Sequence, residues 1–207
     1  MELEKFLSQP EEKQKNIIDA ALATFGRMGY KKASMNDIAT AAGISKGLVF
    51  HYFGSKKALY LYLAEISGTI FLCETKSRFD KNISDFFDRI RLATEIKMSV
   101  MKKYPALLLF LGSMYYETDE EVADSIKEIL AQSEEIRSGL AFDGMDASKF
   151  KEGIDPQLVV NILVRFSEGY VSNSPDMAAL DIEKLLSEFE ACLDLMKNNF
   201  YKEEFLR

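Results

Sequence analysis

The chain has 207 residues, 47% of them hydrophobic, with a formal net charge of −7. That content excludes a disordered chain, and the length suffices for a sizeable core in one domain or two small ones. The N-terminus lacks a signal-peptide pattern, and no uncharged apolar run reaches the roughly 18 residues of a membrane span, so the cytoplasm is the expected compartment.

Residues 1 to 9 read as a ragged, partly disordered lead-in. Pro10 suits the first turn of a helix, and Glu11 and Glu12 complement its positive end. Ile17, Ile18, Ala21, Leu22 and Phe25 form an apolar stripe, with Gly26 and Gly29 marking the end of that helix.

Ser34 to Lys57, SMNDIATAAGISKGLVFHYFGSKK, organises the rest. Ser34 is a good N-cap, with Asp37 where a capping-box acid sits. Met35, Ile38, Ala39 and Ala42 share one face, and Gly43 supplies the positive φ that ends the helix. Ser45 caps the next helix and Gly54 stops it. Two short helices about a Gly-containing turn are the helix-turn-helix pattern, whose second helix enters the DNA major groove. The expected three-helix core is Ile18, Leu22, Phe25, Ile38, Ala39, Ile44, Val49 and Phe53. Such a small unit is marginal alone and needs docking against the rest of the chain.

From Ser55 to about Arg78 the pattern predicts a long helix linking this unit to the remainder. Further helices follow from Ser84 to near Tyr104, from Pro105 through PALLLFLGSMYYE, and from Asp119 to about Leu140. Residues 141 to 155 read as a loop with one turn of helix. Helices return from Pro156 to about Val171 and from Ile182 to about Tyr201, separated by the break SNSPDMAAL. No internal repeat or convincing strand is visible.

Charge is distributed unevenly. Residues 1 to 57 carry a net +3 and residues 58 to 207 a net −10. A basic end on an acidic body is compatible with DNA binding at one end only. His51 is the only histidine, which excludes multi-histidine metal sites. Cys73 and Cys192 are far apart and are expected to be reduced, buried thiols. There is no P-loop, GxGxxG, GxSxG or nucleophile–base constellation. No catalytic residue, metal or cofactor is therefore expected, and an enzyme is the least favoured class.

The run GISKGLVFHYFGSKKALY resembles the recognition segment of the TetR family of transcriptional regulators, and IIDAALATFGRMGYKKASMNDIATAAG resembles that family's first two helices. The resemblance covers roughly residues 13 to 63 without a gap and rests on an ordered set of caps, glycines, apolar and basic residues. It implies an all-α fold of about nine helices. Residues 10–70 would form the DNA-binding domain, with the helix-turn-helix proper at about 33–52, and residues 71–207 an effector-binding and dimerisation domain.

By the same resemblance Lys46, Gly47 and Leu48 face base edges. Lys46 can donate to guanine or phosphate, Gly47 allows close approach, and Leu48 can meet a thymine methyl. Asn36 can reach a base or a phosphate, and Ser45 belongs to the same surface. Ser34, His51, Tyr52 and Lys56 read as phosphate clamps, which set register rather than sequence. Phe50 stands where many relatives have Tyr and lacks the hydroxyl for one phosphate bond.

In the C-terminal body Phe86, Ile90, Met98, Met101, Phe110, Met114, Tyr115, Phe166 and Tyr170 are bulky, adaptable groups. They can line a pocket for a hydrophobic or aromatic effector, or simply fill a helical core. Helices near 156–171 and 182–201 are wide-faced enough for the two-fold homodimer the resemblance implies. The expected function is a ligand-responsive repressor that binds double-stranded operator DNA. The rival is a ligand-binding or scaffold protein that keeps the fold without DNA recognition.

Overall fold

A computed structural model describes residues 2–172 and 181–206. The described residues are helical, with a single isolated bridge, Phe150 to Tyr201, as the extended pairing. Ten α-helices occur in order: α1 (Glu2–Leu7), α2 (Glu11–Lys32), α3 (Met35–Ala42), α4 (Lys46–Phe53), α5 (Lys56–Arg78), α6 (Phe86–Lys103), α7 (Pro105–Tyr115), α8 (Ala123–Phe142), α9 (Pro156–Ser172) and α10 (Ile182–Phe200). The loop after α8 contains one short 3₁₀ turn, Ala147–Lys149, as its composition suggests. The break SNSPDMAAL lies, beyond its first residue, outside the described residues.

The helix beyond the expected nine is α1. The lead-in is an ordered helix, because Leu3, Phe6 and Leu7 place apolar groups on one helical face and Phe6 is 1% exposed in the core.

The described chain divides into two compact units. The first comprises residues up to 76 together with 98–134. Its core contains Leu22, Phe25, Ile38, Ala39, Val49 and Phe53 as expected, joined by Leu59, Tyr60 and Leu63 of α5 and by Leu107, Phe110 and Met114 of α7. Ile17 takes the fully buried position, and Ile18 and Ile44 pack partly covered beside the core. Helices α2 and α7 approach so closely that a Cβ on Gly26 would lie 2.7 Å from the Leu109 carbonyl carbon. Four rings, Phe25, Tyr30, Tyr60 and Phe110, join α2, α5 and α7, with Tyr60 edge-on to Phe25 at 4.9 Å and to Phe110 at 5.2 Å. Burying each such ring contributes about 1.5–3 kcal/mol. This is the docking that a small helix-turn-helix unit needs. α2 kinks at Gly29, whose φ of 69° and ψ of 171° suit glycine.

The second unit comprises residues 77–97 and 135–206. Phe86, Phe87, Phe150 and Tyr201 form its aromatic centre, with Phe150 and Tyr201 edge-on at 4.9 Å. The segment after α10 is strapped to the loop after α8 by Lys151 N–H to Phe200 O (2.8 Å) and Lys202 N–H to Lys149 O (2.9 Å). The Phe86 N–H donates to the Tyr201 hydroxyl. Arg89, 2% exposed, donates to the Leu140 and Ile83 carbonyls at 2.8 and 2.7 Å. Both thiols are free, but Cys73 is exposed on α5, and Cys192 is only half-buried. Cys73 faces outward and Cys192 packs only partly covered against the second unit's core, so neither is buried as expected.

Candidate nucleic-acid interface

The turn between α3 and α4 is built from local bonds. The Asp37 N–H donates to Ser34 Oγ, and the Ser34 N–H donates back to Asp37 Oδ2 at 3.0 Å, closing the capping box. Gly43, at φ 67°, ends α3, and its N–H donates to the Ala39 and Thr40 carbonyls. Asn16 Nδ2 donates to the Ala42 carbonyl, tying the turn to α2. Ser45 Oγ then accepts from the Leu48 N–H and starts α4. Gly54, φ 73°, stops it after eight residues.

The eight residues of α4 separate cleanly. Val49, Tyr52 and Phe53 are buried, Leu48 is half-buried, and Lys46, Gly47, Phe50 and His51 are exposed. Positions 46, 47, 50 and 51 are related by one helical turn and form one outward face. Nothing lies within 4 Å of a Cβ at Gly47, so this face is open at its N-terminal end. α4 has no acidic residue in its first turn. A capped helix with a cation and free N–H groups at its start favours a polyanion. Asn36 is exposed at the start of α3. Ser34 is half-buried, and its hydroxyl already donates to Asp37 Oδ2 at 2.6 Å.

Two residues read as clamps are placed otherwise. Tyr52 is 3% exposed, its ring 5.6 Å from Phe6 and edge-on to Phe53 at 6.2 Å. Its ring is therefore core and not outward-facing. Lys56 is half-buried, and its Nζ donates to the Tyr30 carbonyl at 2.9 Å and the Ala33 carbonyl at 3.3 Å. The carbonyls at the end of α2 have no helical partner, and the ammonium supplies one. Nearby, burial pushes the Tyr30 and Tyr60 phenols well above the ordinary tyrosine range.

Phe50, read from the sequence only as a lost phosphate bond, is 39% exposed on the outward face, with Lys46 Nζ 5.8 Å from its ring centroid. The i, i+4 spacing of Lys46 and Phe50 was the available signal.

The residues read as an effector pocket fall in both units. Phe110, Met101 and Met114 are buried in the first, where Met98 is half-buried and Tyr115 is 44% exposed. Phe86 is buried in the second, with Ile90 and Phe166 packed partly covered against its core. The side chain of Tyr170 lies outside the described residues. Among the described residues there is no cluster of three His, Cys, Asp or Glu suited to a metal, and no helix is long and apolar enough to cross a membrane.

A capped helix-turn-helix held in a helical core, with a cation-bearing outer face, defines a DNA-binding protein of the helix-turn-helix class. Comparison with known proteins narrows that class. Residues 17–63 match the family described as bacterial regulatory proteins, tetR family. The chain is 27% identical over 172 residues to the HTH-type transcriptional regulator RutR of Escherichia coli (strain K12), covering 81% of this chain and 78% of that one. Its fold is similar to that of a TetR family transcriptional regulator from Chloroflexus aurantiacus J-10-fl, with a TM-score of 0.68, 21% identity, and 97% and 98% of the two chains covered. It is also similar to a transcriptional regulator FadR from Bacillus subtilis in complex with stearoyl-CoA, with a TM-score of 0.66, 21% identity, and 88% and 96% covered. Residues 17–63 thus carry the tetR-family segment of bacterial regulatory proteins, and the chain as a whole shares the fold of TetR family regulators.

Proposed function

We propose that this protein is a homodimeric, cytoplasmic repressor that binds operator DNA through α4 and leaves it on binding a small hydrophobic effector. The observation that carries the reading is the division of α4, in which Lys46, Gly47, Phe50 and His51 face outward while Val49, Tyr52 and Phe53 anchor the helix. Lys46 donates to guanine edges or phosphate, Gly47 admits the backbone to the groove, and Leu48 and Phe50 meet thymine methyls. His51, Asn36 and the helix start around Ser45 set register on phosphates.

Exposed Leu158 and Ile162 on α9, one turn apart, and Leu195 on α10 supply an apolar face suited to pairing two copies. Two copies would set two recognition helices on successive major grooves. An apolar effector is supported by the aromatic and Met-rich composition of α6 and α7, and by the stearoyl-CoA held by a structural neighbour. The effector would favour a dimer geometry that no longer matches operator spacing, a population shift.

Electrophoretic mobility with DNA from upstream of the protein's own gene tests this. The wild-type chain should shift that DNA, and Lys46→Ala with His51→Ala should abolish the shift. Retained binding by the double variant would refute the assignment.

A further inference from the structure

We infer that α1 belongs to the DNA-reading apparatus, with Phe6 as the positioning residue that sets the angle of the recognition helix. The inference rests on the reading of α4 as the DNA-contacting element.

α4 is only eight residues long and ends at Gly54, so little of its own length holds it in place. Val49 secures its middle, and its last turn depends on Tyr52 and Phe53. Both of those rings pack on a residue outside the helix-turn-helix. Phe6 lies 4.8 Å from Phe53, 5.6 Å from Tyr52 and 6.2 Å from Tyr62 of α5. It therefore wedges α4 against α5.

α1 is itself fastened. Gln14 Nε2 donates to the Leu7 and Gln9 carbonyls at 2.9 and 2.7 Å, and Lys13 Nζ donates to Gln9 Oε1 at 2.9 Å. The same Lys13 ammonium sits 5.8 Å from the Tyr52 ring centroid. The end of α1, the start of α2 and the last turn of α4 thus form one packed corner. Base readout depends on placing Lys46 and its neighbours to within hydrogen-bond reach. Removing the wedge opens Tyr52 and Phe53 to water and lets α4 pivot about Val49. The outward charges are untouched, so the sequence-independent attraction to phosphate persists while base reading is lost.

Fluorescence anisotropy on the full chain tests this with two duplexes of equal length, one carrying the upstream operator and one unrelated. Phe6→Ala should weaken operator binding by about tenfold, the loss of one good base contact. Binding to the unrelated duplex should change by less than about twofold, since no phosphate contact is removed. Phe6→Leu, which refills most of the space, should recover most of the operator affinity. Circular dichroism at the assay temperature confirms that each variant is folded, and Phe6→Val carries the test if alanine costs the fold. Unchanged operator affinity would overturn the proposal. So would equal weakening on both duplexes, the mark of a merely structural role. A wild-type chain that does not distinguish the duplexes would overturn the repressor reading and this proposal with it.

Discussion

Lys56 Nζ lies 4.2 Å from the centroid of the Tyr30 ring and donates to the carbonyl of the same residue at 2.9 Å. One ammonium thus joins the first turn of α5 to the end of α2, immediately after the recognition helix. A second of its three N–H groups donates to the Ala33 carbonyl at 3.3 Å. Lys56→Met should lower stability by about 1–3 kcal/mol, since two carbonyls lose a charged donor. Urea unfolding would measure that loss. A lysine that neutralises a phosphate contributes about 0.9 to the slope of log affinity against log salt. The slope for operator binding should therefore be the same in Lys56→Met as in the parent, and a fall of about one unit would return Lys56 to the phosphate contacts.

Gly26 is required by the approach of α2 to α7. A Cβ there would meet the Leu109 carbonyl carbon and Cβ at 2.7 Å and the Phe110 nitrogen at 2.8 Å. Backbone cannot rotate aside as a side chain can, so the helices must part. Gly26→Ala is expected to destabilise the first unit by about 1–3 kcal/mol, despite alanine's better helix propensity. A thermal melt that rises instead would contradict the close approach.

Asp85 gives the second unit an acid-sensitive joint. Burial disfavours its charge, but bonds from Lys149 Nζ and the Asp88 N–H, with the charge of Lys197, outweigh it and hold the carboxyl below its ordinary 3.8. A carboxyl depressed in the folded state stabilises that state fully above its unfolded value, and the contribution disappears as pH falls through the folded one. Stability should therefore drop as pH falls below about 5. Asp85→Asn should lower stability at neutral pH and flatten that acid limb, measured by urea midpoints across pH. An unaltered acid limb would assign the sensitivity elsewhere.

Arg89 is a buried cation serving backbone. Its Nε and Nη1 bond the Leu140 and Ile83 carbonyls, and its guanidinium lies 5.0 Å from the Phe79 ring. Leu140 is in the last turn of α8, where free carbonyls and the helix dipole favour a cation. Arg89→Met preserves much of the volume but leaves two part-buried carbonyls without their charged donor. A loss of about 1–3 kcal/mol is expected. Differential scanning calorimetry would detect it, and an unchanged transition would show that water replaces the guanidinium.

The helix-turn-helix is legible in the sequence because its signals are local. Ser34 with Asp37, Gly43, Ser45 and Gly54 act within four residues of the backbone they cap or stop. The helical class, most helix spans and the apolar stripes followed from the same short-range periodicity. The ordered α1 was also written locally, in the i, i+3, i+4 spacing of Leu3, Phe6 and Leu7, but six residues make too short a helix to stand without a partner. What that partner is, and with it which face of Tyr52 is covered, emerges from long-range packing alone. The same packing decided that the Lys56 ammonium turns to the end of α2 and that Gly26 lies against Leu109. Each of these depends on groups distant in sequence meeting in space. A side chain's exposure is set by what packs over it, and no periodicity within its own helix encodes that.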